Sequence, residues 1–285
     1  MNHSKLIVNA DDFGLHSSVN KAIVEGHRRG IITSTSLLAS GDAFDEAVAL
    51  VKEVPTLGIG IHTALVGGLR PVCAPEEVPS LLVNGRFPET YTTFMKRVAE
   101  GLVNFNEVHR ELEAQCKRIV DTGLTITHID GHQHLHVLPQ VAPMIAELAA
   151  KYGVSRVRVP SEQRLFMNGI KDWGRYAGKL ALTEMAERAR RTFNRFGLRS
   201  TVYFWGMMAG GQLNEERLVT IIDKVTSLPG THEIMTHPGM DADMLGHRFN
   251  WGYHWDDELA AMCSARCRAR LNTCGVELIT YGELE

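Results

Sequence analysis

The chain has 285 residues, 44% hydrophobic and 22% charged, which is enough for a buried core and excludes disorder, collagen-like repeats and a disulfide scaffold. Against 30 Lys plus Arg stand 33 Asp plus Glu, a formal net charge of -3, so the basic excess of a nucleic-acid binder is missing. No apolar stretch approaches the roughly 18 to 20 residues of a spanning helix.

The chain begins MNHSKLIVNADDFG, where the run Leu6 to Val8 meets polar residues at once, so no exported leader is expected. Five cysteines, Cys73, Cys116, Cys263, Cys267 and Cys274, are odd in number and fit reduced thiols, which predicts a cytoplasmic location.

Apolar or β-branched runs recur at 6–10, 34–40, 58–65, 126–130, 157–159, 201–205, 233–237 and 276–281, and read as eight strands. Amphipathic stretches lie between them. One spans 19–30 with Ser17 or Ser18 as N-cap, and another spans 106–123, ending at Gly123. Pro139 opens a third, Asn214 a fourth, and WDDELAAMCSARCRARL precedes the last strand. This alternation predicts an α/β fold: one domain over 1–285, a barrel of about eight parallel strand-helix units, with an open doubly wound sheet as the alternative. The connections 66–105 and 160–200 are too long for simple barrel loops and are expected to form lid insertions.

Chemistry-bearing residues collect at predicted strand ends. NADDFG places Asp11 and Asp12 after the first run, where one carboxylate could ligate a metal and the other accept a proton; a plain Asp-rich turn is the competing reading. His62, after the small or apolar Gly58 to Ile61, falls near the C-terminal end of the third strand, as a ligand or as a satisfied core histidine. HIDGHQHLH holds His128, Asp130, His132, His134 and His136 within nine positions, and its apolar flanks argue for a divalent-metal site over a solvated tract. Arg158 needs a carboxylate partner if buried. His237 ends the seventh run in a position like that of His62, and Trp205 suits either the core or a sugar-stacking platform. In a barrel, strand C-terminal ends share one face, so these separate signals converge on one site.

NADDFG, TSTSLLASG (33–41), GIH (60–62), the histidine run (128–136) and HPG (237–239) together resemble the YdjC-like carbohydrate deacetylases along essentially the whole chain. The resemblance implies one divalent ion, Zn²⁺ or Mg²⁺, held by Asp12, His62 and His132. It also implies Asp11 as catalytic base and His237 as acid, with a free member of the His134 and His136 pair as the alternative donor. Asp130 and Arg158 would orient ligands and base. RPVCAPEEVPSLLVNGRF and the 160–200 insertion look closer to the hopanoid-biosynthesis-associated, HpnK-like branch. That branch implies an N-acetylglucosaminyl hopanoid lipid as the acetylated substrate; the alternative is a chitooligosaccharide. Where relatives carry other residues, this chain has Thr63, Ala64, Leu65 and Gly131, which put substrate shape in question.

Two other classes compete: a barrel metallo-phosphoesterase or amidohydrolase with an HxH pair, and a non-enzymatic metal-binding module. The first would take its histidine pair from the first strand, which here delivers Asp-Asp. The insertions carry Leu81, Leu82, Phe87, Phe94, Leu165, Phe166, Met167, Ile170, Trp173 and Tyr176, read either as a satellite core or as the lining of a lipid groove. Peripheral membrane contact and a homodimer stay open.

Overall fold

Leu6, Ile7, Val8 and Ala10 are all buried in the first strand, β1 (Ser4–Phe13), and a strand apolar on both faces belongs inside a parallel sheet covered on both sides. The computed structural model describes residues 4–285; residues 1–3, part of the segment read above for a leader, lie outside the described residues. After β1 come α1 (Ser17–Arg29), β2 (Ser34–Leu38), α2 (Phe44–Val51) and β3 (Gly58–Thr63). The first insertion contains α3 (Tyr91–Ala99) and leads to α4 (Phe105–Val120) and β4 (Ile126–Gly131). A 3-10 segment, His132–Val137, precedes α5 (Ala142–Lys151), and the second insertion folds around α6 (Trp173–Arg195) before β5 (Tyr203–Trp205). Next come α7 (Glu215–Ser227), β6 (Gly230–Thr236), α8 (Ala242–Arg248), α9 (Trp255–Met262), α10 (Ala265–Thr273) and the two-residue β7 (Glu277–Leu278).

Six strands pair in the order β4-β3-β2-β1-β6-β5, every pair parallel. The chain steps away from β1 to β4 and returns through β5 and β6 to the other side of β1, always in the same sense. A doubly wound sheet reverses direction at its switch point, so this order matches a curled, distorted barrel instead.

The eight-unit expectation needs correction. Residues 157–159 supply only single bridges, Ile129 to Val157 and, from the preceding residue, Arg156 to Arg199, because Pro160 ends the run with no N–H to donate. The 276–281 run shrinks to β7. From Asn9 onward β2 occupies that edge of β1, leaving β7 only Lys5 and Leu6.

Helix boundaries shift for local reasons. His16, not Ser17 or Ser18, caps α1, its ring nitrogen accepting from Ser18 N at 3.1 Å. Pro139 stands ahead of α5, which carries Pro143 in its first turn. The stretch 255–271 divides at Ser264, whose hydroxyl caps α10 through Cys267 N. Asn214 caps α7 as expected. Among the described residues no helix is long and apolar enough to cross a membrane.

Candidate active site

A regular strand points successive side chains to opposite faces, which would separate Asp11 from Asp12. β1 escapes this with a bulge: its register to β2 shifts between Ala10 and Phe13, and Asp12 takes a left-handed φ of 67°. Both carboxylates thereby face the histidines. Register does the rest: β3 and β4 pair His62 with Asp130, and His132 follows one residue after β4.

Asp12, His62 and His132 each offer one ligand atom within 4.8 Å of the others, and all three are buried. Asp12 Oδ1 lies 2.9 Å from His132 Nδ1 and 3.3 Å from His62 Nε2. With bonds of about 2.0–2.2 Å, donor atoms arranged tetrahedrally around one ion stand about 3.3 Å apart. Among the described residues, Asp12 Oδ2, His62 Nε2 and His132 Nε2 have no hydrogen-bond partner, so three buried polar atoms of the set stand unsatisfied. The donor set fits a divalent cation. On its far side His62 Nδ1 donates to Asp130 Oδ1 at 2.7 Å, the carboxylate support usual behind a ligating imidazole. Burial alone would lower the His62 pKa, but Asp130 and Asp12 on either side raise it to about 10. Burial opposes the ionisation of Asp12 too, and the two histidines nevertheless hold its carboxyl well below the usual range.

In a second acid-rich cluster, Asp11, His62 and Asp130, both carboxylates already pair with a guanidinium. Arg158, fully buried, donates to Asp11 Oδ2 and Oδ1, each at 2.6 Å, sits 2.9 Å from Asp130 Oδ2 and donates Nε to Glu233 Oε1 at 2.7 Å. Asn9 Nδ2 donates to Asp11 Oδ1 at 2.9 Å and to Ser36 Oγ at 2.8 Å, and Ser36 Oγ donates to Asp130 Oδ2. Asp11 is thus fixed by three donors. Asp130 thus lies against His62 and Arg158 against Asp11, the residues toward which an orienting role is expected from the sequence. Glu233, Asn9 and Ser36 were missed: single polar residues in apolar runs give no periodic signal, although a buried Arg158 implies more than one acid.

His237 follows β6 and lines the same cavity as Asp11 and His132. Its backbone N–H and the Thr236 hydroxyl donate to Glu258 of α9, and its Nδ1 stands 3.8 Å from that carboxylate, unpartnered. The other histidines divide. His134 lines the cavity, whereas His136 Nε2 bonds the Arg158 carbonyl at 3.1 Å and stays in the core. His128 is also core, stacked on Tyr281 beneath Asp130, and Gly60 is required there because a Cβ would lie 2.3 Å from the imidazole. Trp205 is core as well, not a sugar-stacking platform: it is fully buried, its Nε1 donates to His232 Nδ1, and it does not line the cavity. At Gly131 a Cβ would meet Thr63 Oγ1 at 2.7 Å, and Thr63 Oγ1 donates to the Asp130 carbonyl. Thr63 and Gly131 therefore accommodate each other and open no space for substrate.

The cavity encloses about 500 Å³. Its polar end carries Asp11, His132, His134 and His237, roofed by Trp251 and Tyr253. Its apolar end draws on both insertions, Tyr91 and Met95 from α3 and Leu182 and Met185 from α6, together with Leu135 and Leu138. Arg175, Gly178, Lys179, Leu182 and Met185 recur every three or four positions, one face of α6. The insertions do line the site, but through other residues than those expected. Leu81, Phe87, Phe94, Phe166 and Ile170 are buried packing, Leu82, Met167 and Tyr176 are partly buried against the core, and Leu165 and Trp173 are 88% and 74% exposed.

Comparison with known proteins agrees with this architecture. A carbohydrate deacetylase of Brevibacillus brevis is 34% identical over 98% of this chain and 99% of its own length. A chitooligosaccharide deacetylase of Salmonella paratyphi C is 31% identical over 93% of each. The crystal structure of an Enterococcus faecalis V583 protein, proposed to act in cellobiose-phosphate cleavage, superposes with a TM-score of 0.79 at 26% identity, covering 99% of both chains. The profile described as YdjC-like protein matches residues 5–273, and the chain belongs to that family.

Proposed function

We propose that the protein is a metal-dependent N-deacetylase of acetylated amino sugars, its substrate carried on a lipid aglycone of the N-acetylglucosaminyl hopanoid type. The observation that carries the reading is the juxtaposition of a buried Asp-His-His set with unpartnered polar atoms and a separate carboxylate, Asp11, clamped by Arg158. The names of the relatives support the amide and sugar, and the apolar end of the cavity supports the lipid.

Amide hydrolysis needs a polarised carbonyl, an activated water and a donor for the amine. A divalent ion on Asp12, His62 and His132 would supply Lewis-acid polarisation and lower the pKa of water. One carboxylate and two imidazoles suit Zn²⁺ better than Mg²⁺, which prefers more oxygen ligands. Asp11 accepts the proton of the attacking water, its oxygens aimed by Arg158 and Asn9. His237 donates a proton to the departing nitrogen, with His134 on the same wall as the alternative donor. Trp251 and Tyr253 cover the sugar, and the aglycone lies between α3 and α6.

The test pairs two substrates on purified protein with acetate release as the readout: an N-acetylglucosaminide with a long apolar aglycone, and a chitooligosaccharide. The reading expects acetate from both and a higher kcat/KM for the lipid-linked one. Equal efficiency, or preference for the oligosaccharide, rejects the lipid; no acetate from either rejects the deacetylase.

A further inference from the structure

Glu233 and Tyr281 lie outside the ligand set and outside the cavity, yet they complete the surroundings of Arg158. Arg158 Nε donates to Glu233 Oε1, and the Tyr281 hydroxyl donates to Glu233 Oε2. Tyr281 sits on the C-terminal segment, beyond residue 273 where the family match ends. That segment is well held. Ile279 N donates to the Leu6 carbonyl at 2.9 Å, Tyr281 N donates to Ser34 Oγ at 3.1 Å, and the phenol stacks on His128 with ring centres 3.9 Å apart.

The chemistry explains why a phenol is needed. Glu233 is fully buried, and burial pushes its carboxyl up to about 7 against the opposing pull of Arg158 and the Tyr281 hydroxyl. A buried carboxylate stays ionised only while donors occupy its oxygens. Arg158 occupies one, and Tyr281 occupies the other. On the opposite side the same guanidinium grips both oxygens of Asp11, so any rotation of its plane loosens both bonds together.

We propose that Glu233 and Tyr281 are positioning residues for Asp11, acting through Arg158: the phenol fixes the carboxylate, the carboxylate fixes the guanidinium plane, and the plane aims the base. The kinetic part of this rests on the deacetylase reading. The mechanical part does not.

The experiment uses full-length, metal-loaded protein labelled with ¹⁵N-arginine, and the variants Tyr281→Phe, Glu233→Gln and both together. Tyr281→Phe keeps the ring on His128 and removes only the hydroxyl. It should shift the Arg158 Nε–H resonance, speed its exchange, and lower kcat about five- to tenfold with KM and metal content unchanged, a transmitted fraction of one hydrogen bond to a charged group. Glu233→Gln should act in the same direction and more strongly, and the double variant should be no slower than Glu233→Gln alone, because the residues act in series. A purely structural phenol would lower Tm and leave kcat and the Arg158 signal in place. An unmoved Arg158 resonance in Tyr281→Phe overturns the proposal, as does an unmoved kcat in an active enzyme. If the wild type releases no acetate, the deacetylase reading falls, and the Arg158 resonance still decides the linkage.

Discussion

Arg158 holds Asp11 through both carboxylate oxygens at 2.6 Å, and the two side chains come from opposite parts of the chain, 147 residues apart. The pair is buried, so its geometry depends on the surrounding acids rather than on water: Asp130 and Glu233 share the same guanidinium. One cation thereby organises three carboxylates, one of which faces the cavity.

Removing that cation should be felt first as instability. Arg158→Met leaves Asp11 and Glu233 without their counter-charge, and breaking a buried pair in this way costs about 3–5 kcal/mol. Thermal and urea denaturation should show a large loss. A wild-type midpoint would mean that the acids are neutral or hydrated in the folded protein.

Asp11→Asn should separate base from ligand. The amide keeps the shape and loses the proton acceptor, so metal content should hold while turnover falls on the order of 10²- to 10⁴-fold. Loss of metal in this variant would place Asp11 among the ligands.

The histidines should sort by their contacts. Alanine at Asp12, His62 or His132 should abolish metal binding and activity together, whereas His136→Ala, which loses only a bond to the Arg158 carbonyl, and His134→Ala should retain most of the metal. Inductively coupled plasma analysis of each purified variant reads this directly. Full occupancy in His132→Ala would contradict the ligand set.

The apolar end of the cavity should control the aglycone alone. Leu182→Asn places an amide in the cavity lining on α6, and the lost apolar contact corresponds to about a tenfold drop in kcat/KM for the lipid-linked substrate, with the soluble one unaffected. A parallel drop for both would mean that α6 positions the sugar.

What the sequence made legible follows from what its patterns encode. Strand ends bearing Asp, His and Arg could be found because ligand and acid-base residue types interrupt apolar runs at the positions where a parallel barrel gathers them. The bulge at Asp11 and Asp12 could not, because φ is not written in composition, and it is the bulge that turns both carboxylates to one side. Trp205 looked like a site residue by position and proved to be core, since a strand end has an inward and an outward face and the register decides between them, and His136 followed because the 3-10 turn after β4 aims it at the Arg158 carbonyl. Tyr281 was invisible for another reason: it packs with Ile7, Ile279 and Leu284 as an ordinary core residue, and its partner Glu233 lies 48 residues away. The lining of the cavity depends on which face of α6 turns inward, which the apolar content of an insertion does not fix.

The central claim is that Asp12, His62 and His132 hold an ion without which the amide is not cleaved. Acetate release from an N-acetylated amino sugar, followed while Zn²⁺ or Mg²⁺ is titrated into chelator-stripped protein, measures it. The account predicts no turnover in the stripped protein and full recovery at one equivalent of bound metal. Turnover that survives stripping, or recovery that requires two ions per chain, would contradict it.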